Sequence, residues 1–196
     1  MRQKIILLFV CCFLTLYSQA QGFKGGLHAG LLATQVDGDN QIGYKKAGLF
    51  VGVFTNYPFA EQKMQLQFEL NYAQKGSSAK PEYSIRLHQV EPTILFGWNF
   101  WNQFHLETGL SFNIVASAKE YVWQELVPSD VGSRFYIFNL EWVGGLAYRF
   151  NEHWGVSFRC IYSVSPIGKT NKWKNNKAVE GYMRNNCLLF RIYYQL

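Results

Sequence analysis

Three residues in one short stretch, His105, Glu107 and Ser111, have the side chains that hydrolytic sites use. A serine nucleophile is activated by a base that a third group orients, and all three must lie within hydrogen-bond reach. If the stretch is a strand, the spacing i, i+2 and i+6 spreads these residues along one face over about 20 Å. The sequence also lacks a G-x-S-x-G motif. We therefore predict that the protein has no catalytic site.

The four histidines do not have the spacing of a metal site. They are His28, His88, His105 and His153. Zinc sites usually draw their ligands from closely spaced pairs, and no such pair is present. We predict polar roles for these residues in the interior or at the rim of the fold, with no metal and no cofactor.

The element that must position these residues is the β-strand. In residues 64–76, two classes of side chain alternate without a break, and only a strand sends successive side chains to opposite faces. The apolar set is Met64, Leu66, Phe68, Leu70 and Tyr72, and the polar set is Gln65, Gln67, Glu69 and Asn71. One face of this strand must therefore meet water or polar groups, and the other an apolar medium.

Eight segments show this alternation. They are residues 23–34, 47–57, 64–76, 86–100, 104–114, 138–150, 154–164 and 188–196. Their connections alternate between long and short, which is typical of bacterial outer-membrane barrels with tight periplasmic turns and longer outer loops. The pattern predicts an all-β protein, an eight-stranded antiparallel up-and-down transmembrane β-barrel.

The polar face favours a membrane barrel over a soluble one. It carries Gly, Asn, Gln and Ser with a few nearly balanced charges, which must pair if they are buried. We predict an interior ion network of Glu69, Glu91, Glu107, Glu141, Arg149, Arg159 and Arg191. The apolar face has almost no charge, as a lipid-facing wall requires. The alternative is a soluble periplasmic lipocalin-like carrier, with the apolar face turned inward around an apolar ligand.

The N-terminus has the features of a signal peptide. Arg2 and Lys4 precede an apolar run over residues 5–17, and small residues lead to a predicted cleavage site after Ala20. The mature domain is then 21–196, exported to the cell outer membrane of a Gram-negative bacterium. Its net charge falls from +6 to +4, and without a dense basic stripe we predict no nucleic-acid binding. Cys160 and Cys187 have opposite parity, which argues against a disulfide.

Three motifs carry a family resemblance. They are GLHAGLLATQVDGD near the N-terminus, LQFELNYAQKG over residues 66–76, and VEP over residues 90–92. Together they resemble the PorT-like outer-membrane β-barrel domain family across the mature chain. The resemblance implies a single eight-stranded barrel. PorT itself resembles a component of the type IX secretion system, but membership does not imply that role. The C-terminal Leu196 departs from the terminal Phe that is common in outer-membrane barrels.

We therefore expect a small non-enzymatic barrel that is structural, binds a partner through its extracellular loops, or is accessory to secretion. The candidate binding surfaces are the connections 119–134 and 166–182. The second is basic and contains Lys169, Lys172, Trp173, Lys174 and Lys177. It would attract lipopolysaccharide or an acidic partner, or act only as a solvated loop. The expected partners are outer-membrane lipid, lipopolysaccharide and another envelope protein, and the expected state is a monomer.

Overall fold

The computed structural model describes residues 22–39, 43–79, 81–127, 131–132, 134–174 and 177–196, with the side chains of residues 170–180 left out. The predicted signal peptide lies outside the described residues. No helix in the described part of the chain is long and apolar enough to cross a membrane.

The described residues form ten strands. They are β1 (Lys24–Asp37), β2 (Lys46–Phe59), β3 (Met64–Ala79), β4 (Tyr83–Trp101), β5 (Phe104–Val122), β6 (Glu125–Val127), β7 (Phe138–Arg149), β8 (Trp154–Ser163), β9 (Gly168–Lys174) and β10 (Lys177–Gln195). Eight of them form the wall in the order β1-β2-β3-β4-β5-β7-β8-β10, and β1 pairs with β10 to close it. All pairings in the wall are antiparallel. The predicted eight-stranded barrel is confirmed.

The two faces of the wall have opposite chemistry. Leu31 is 67% exposed and points outward, whereas the adjacent Leu32 is 1% exposed and points into the barrel. Phe68 and Leu70 are likewise exposed, and Glu69 between them is buried. This arrangement corrects the carrier alternative, because the apolar face lies outside and the inner face is largely polar. A wall of this kind fits a lipid environment.

The connections at one end are shorter than the sequence predicted. We call the end that carries residues 38–39, 43–45, 81–82, 123–127, 131–132, 134–137 and 164–167 the outer end. The start of β1, the end of β10 and the turns 60–63, 102–103 and 150–153 lie at the other end. The predicted loop 119–134 is partly β-structure, since β5 runs to Val122 and β6 follows after two residues. The predicted loop 166–182 contains β9 and the start of β10. These segments outside the lipid-facing band pair through backbone hydrogen bonds. They lack the apolar alternation from which the lipid-facing strands were predicted.

The interior is filled by layers of side chains. An inner apolar layer consists of Leu32, Phe50, Ala73, Leu95, Val143, Ile161, Cys187 and Leu189. A second apolar layer lies toward the outer end and consists of Val36, Ile85, Leu87, Val115, Ala118, Phe135, Ile167 and Met183. Two of its members, Phe135 and Ile167, belong to connections between strands and are fully buried. The connections thus fold into the barrel mouth and pack as part of its core.

The two cysteines are on opposite sides of the wall. Cys160 is exposed on the outer surface, Cys187 is buried in the inner apolar layer, and both are free thiols. This agrees with the parity argument against a disulfide.

Candidate functional site

Four charged residues form a compact cluster inside the barrel, here called the central ion cluster. Its members are Glu69 on β3, Glu107 on β5, Arg159 on β8 and Arg191 on β10. Arg159 donates to both oxygens of Glu69, at 2.8 and 2.9 Å, and its Nε donates to Glu107 at 2.6 Å. Arg191 donates to Glu69 at 2.9 Å and to Glu107 at 3.1 Å. Each carboxylate is therefore shared by both guanidinium groups.

The cluster balances two negative and two positive charges in a site closed to water. Each of the four side chains is at most 2% exposed. Taking ions out of water carries a large desolvation cost, which is offset only when geometry is good and the remaining hydrogen-bond groups are satisfied. The two-pronged contact between Arg159 and Glu69 provides such geometry. The cluster links four strands across the interior of the barrel.

A second group, here called the outer ion cluster, joins Lys75 to two carboxylates. The Lys75 Nζ lies 2.6 Å from Glu91 and 2.5 Å from Glu141. Asn185 donates to Glu141 at 2.9 Å, and Ser163 donates to it at 3.3 Å. One cation therefore serves two buried carboxylates, and the neighbouring amide and hydroxyl groups bind the remaining oxygen.

The predicted ion network lacks two residues that these clusters contact, Lys75 and His28. Lys75 has the same parity as Glu69 in the 64–76 run, so its inward direction was readable from the pattern. His28 shares a site with the central cluster: Arg191 donates to its Nδ1 at 2.6 Å, and its Nε2 bonds Asn71 at 2.7 Å. Its parity in the first strand also pointed inward.

Arg149 corrects the predicted ion network. It lies in the last residue pair of β7 and β8, opposite Gly155, next to a tight turn. It borders open pockets at the turn end of the barrel together with Gln103 and Glu152. Among the described residues it forms no salt bridge of the central or outer cluster, although it borders an interior pocket together with Glu107 and Arg191.

The hydrolytic trio is not assembled. His105 Nε2 lies 3.2 Å from Glu107, but Glu107 is already bound by two arginines. Ser111 instead bonds Thr93 at 2.8 Å and donates to Asn113 at 2.7 Å. The strand geometry keeps the serine away from the histidine. Within the described residues, no group of three or more His, Cys, Asp or Glu side chains is arranged to hold a metal ion.

The outer rim has its own ion pair. Arg134 contacts Glu120 at 2.9 Å, and the Tyr83 hydroxyl donates to the same carboxylate at 2.6 Å. Burial, with the hydrogen bond to Glu120, raises the pKa of Tyr83 well above its usual range. These contacts hold the connection before β7 against β4 and β5.

The hairpin between β5 and β6 presents exposed apolar side chains at the outer end. Val122 pairs with Glu125, which leaves Trp123 and Gln124 as a two-residue turn with φ of 50° and 69°. Trp123 is 66% exposed and Leu126 is 60% exposed. Bulky residues rarely adopt positive φ, and two-residue turns of this type normally use Asn and Gly. A tryptophan here is therefore costly for the local backbone.

The predicted basic loop is only partly described. Lys169 lies at the start of β9, and its backbone N–H donates to the Arg134 carbonyl at 3.1 Å. The side chains of Lys172, Trp173, Lys174 and Lys177 lie outside the described part of the structure.

A sequence match agrees with the closed barrel, its apolar outer wall and its buried ionic interior. Residues 18–168 match the model of the outer membrane protein beta-barrel domain family. The chain belongs to this family. Within outer-membrane barrels the tight turns face the periplasm, so the outer end of this barrel is extracellular. No curated protein matches the chain in sequence.

Solved outer-membrane barrels share the fold. The attachment invasion locus protein Ail of Yersinia pestis is 10% identical, with a TM-score of 0.52 over 88% of this chain and 98% of Ail. Neisserial surface protein A (NspA) is 15% identical, with a TM-score of 0.55 over 90% of this chain and 98% of NspA. At these identities the likeness concerns the fold alone.

Proposed function

We propose that this outer-membrane barrel is a non-enzymatic surface protein that binds an envelope or extracellular macromolecule through its extracellular strands. The observation that carries the proposal is the β5–β6 hairpin, whose tip exposes Trp123 and Leu126. Exposed tryptophan is enriched among the residues that dominate binding energy in protein interfaces. The strained turn supports this reading, because a non-glycine residue at positive φ costs about 1–3 kcal/mol and such strain clusters at functional sites.

The hairpin is held on a rigid base. Glu82 accepts a hydrogen bond from the Trp123 backbone N–H at 2.9 Å, which ties the tip to the neighbouring turn. Below it, the apolar layer that includes Phe135 and Ile167 fills the barrel mouth. A rigid surface loses less conformational entropy on binding than a mobile loop does. The filled interior supports a binding role rather than conduction, since an eight-stranded barrel has room only for side chains.

The test replaces Trp123 and Gln124 together by Asn and Gly, the preferred residues for this turn. The variant should keep the hairpin, relieve the strained φ angles and lose the aromatic contact. A photoreactive residue at position 126, activated in living cells, reports the partner as a crosslinked adduct. We expect the adduct to form in the parent protein and to be lost in the Asn-Gly variant, while assembly measured by heat-modifiable mobility is unchanged.

A photoreactive residue at Trp101 is the matched control. Trp101 is 69% exposed but lies at the turn end of the barrel. It should give a different adduct pattern that the Asn-Gly substitution does not alter. Adducts at position 126 that persist unchanged in the variant would contradict the proposal.

Several finer predictions rest on the sequence. The family match supports the broad barrel family, and the PorT-like assignment and the accessory role in secretion stay predictions. Attraction of lipopolysaccharide or an acidic partner by the basic segment 166–182, export by a signal peptide and the monomeric state also stay predictions. A pull-down from the outer membrane, with the Asn-Gly variant beside the parent, would test secretion components among the partners.

A further inference from the structure

The barrel wall splits between β2 and β3 near its extracellular end. The two strands pair from Phe59 and Met64 up to Phe50 and Ala73, but β2 continues to Lys46 alongside β1. Above that point Lys46 Nζ donates to the Lys75 carbonyl at 2.8 Å, and Thr34 donates to the Gly76 carbonyl at 2.7 Å. Side chains here replace the backbone ladder, although the Gln74 carbonyl still lies against Gly48. The split leaves a concave opening on the wall, here called the β2–β3 cleft.

The β2–β3 cleft is lined by cations and neutral hydrogen-bonding groups. Its lining includes Lys45, Lys46, Arg86, His88, Gln74 and Ser78, and none of the described residues that line it is acidic. Lys46 uses one ammonium proton on the Lys75 carbonyl, so two remain for another acceptor. The cleft therefore offers several donors and positive charge without a built-in counterion.

Arg86 lines the cleft and also stacks on the neighbouring strand β5. Its guanidinium carbon lies 5.1 Å from the centre of the Tyr121 ring, and its register partner on β5 is another cation, Lys119. Burial and the Arg86 guanidinium lower the pKa of Lys46 to about 8. The lowered value agrees with positive charges that lie close together without an acidic neighbour. An anion placed among them would relieve this repulsion.

The position of the cleft relative to the lipid-facing band points to the source of the anion. On β4 the outward side chains run from Trp98, near the periplasmic turn, to Val90. A membrane strand needs about 9–11 residues to cross the hydrocarbon core. Ten residues beyond Trp98 along β4 is His88, followed outward by Arg86. The His88 ring and the Arg86 guanidinium therefore lie at the headgroup level of the outer leaflet.

We propose that the β2–β3 cleft binds the phosphate group of an outer-leaflet lipid, the lipid A part of lipopolysaccharide. Guanidinium and ammonium groups form strong charge-assisted hydrogen bonds with phosphate oxygens. Basic pockets at the headgroup level of membrane proteins recognise anionic lipids in the same way. Lys45 and Lys46 line the cleft away from the β5–β6 hairpin, whereas Arg86 also borders Gln124 of the hairpin turn. The proposal does not depend on the proposed partner binding, because its ligand is a lipid phosphate.

The test uses the full mature barrel in neutral detergent. Binding of diphosphoryl lipid A is measured for the parent and for the double variant Lys45→Gln, Arg86→Gln. Both side chains are exposed, so the double variant should fold, as heat-modifiable mobility will show. We expect about tenfold weaker binding of lipid A, because exposed ion pairs contribute up to about 1 kcal/mol each. Dephosphorylated lipid A should bind both proteins equally.

A double variant of Lys24→Gln and Lys63→Gln is the matched control. It removes the same charge from exposed residues at the periplasmic end of the barrel, and it should bind lipid A like the parent. Equal losses in both double variants would show a net-charge effect and overturn the proposed site. Inorganic phosphate at millimolar concentration should not compete with lipid A. Full competition would assign the site to a soluble anion and overturn the lipid assignment.

Discussion

Arg159 donates one hydrogen bond to each carboxylate oxygen of Glu69, across the interior of the barrel and across 90 positions of sequence. The two residues lie on β8 and β3, which are four strands apart in either direction around the wall. The contact therefore joins opposite sides of the barrel. Because guanidinium and carboxylate planes match only in a narrow range of geometries, the pair restricts how the two walls lie relative to each other.

Replacing Glu69 by Gln should strongly destabilise the barrel. Gln keeps the shape of the side chain but leaves Arg159 and Arg191 with one carboxylate between them. Breaking a buried ion pair from one side costs about 3–5 kcal/mol. Urea-induced unfolding in phospholipid vesicles measures the change in the free energy of unfolding. The control is Glu152→Gln, which changes an exposed residue in a tight turn and should shift it by less than about 0.5 kcal/mol. Equal effects would contradict the role of the central ion cluster.

Replacing Lys75 by Met should destabilise the barrel, and two further substitutions should restore most of the lost stability. The single variant leaves Glu91 and Glu141 buried and facing each other without their shared cation, with an expected loss of about 3–5 kcal/mol. Adding Glu91→Gln and Glu141→Gln removes the uncompensated charges, and most of the loss should be recovered. The same unfolding assay measures this. A triple variant no more stable than Lys75→Met would argue against the charge pairing.

An arginine on the outer wall should report the lipid contact. Leu70 is 52% exposed near the middle of the apolar band, and Leu70→Arg should lower the free energy of folding into vesicles by about 2–4 kcal/mol. Leu126→Arg is the control, because Leu126 is exposed at the extracellular hairpin. Its substitution should change stability by no more than about 1 kcal/mol. If both variants folded equally well into vesicles, the outward face would not be contacting hydrocarbon.

Gly52 should not tolerate a side chain. A Cβ at this position would lie 2.2 Å from Asn71 Oδ1 and 2.6 Å from His28 Nε2. Those two atoms bond each other beside the central ion cluster, so Gly52→Ala should cost about 1–3 kcal/mol as overpacking does. The control is Gly25→Ala, where the nearest atom is 3.9 Å away. Comparable stability of the two variants in urea would show that the interior can relax around the added methyl group.

The local pattern of the sequence was sufficient for the direction of most side chains. Strand period is a property of the backbone, so alternation alone placed Glu69 and Glu107 inside and Leu70 outside. The same reasoning extends to Lys75 and His28, whose parity pointed inward although they were not included in the predicted network. The short connections between successive segments predicted the antiparallel eight-stranded wall, because neighbouring antiparallel strands can be joined by tight hairpins.

The tertiary structure decided which charges meet. Parity gives the face of a residue but not its height, and height depends on strand tilt and on the register between strands that are distant in sequence. That is why Arg159 reaches Glu69 while Arg149, with equally suitable chemistry, lies at the periplasmic mouth. Pairing between strand segments outside the lipid-facing band also extends β4 and β5. The same pairing forms the turn that exposes Trp123. Hydrogen bonds between backbones hold those strands together, and backbone pairing leaves no mark in the hydrophobic pattern.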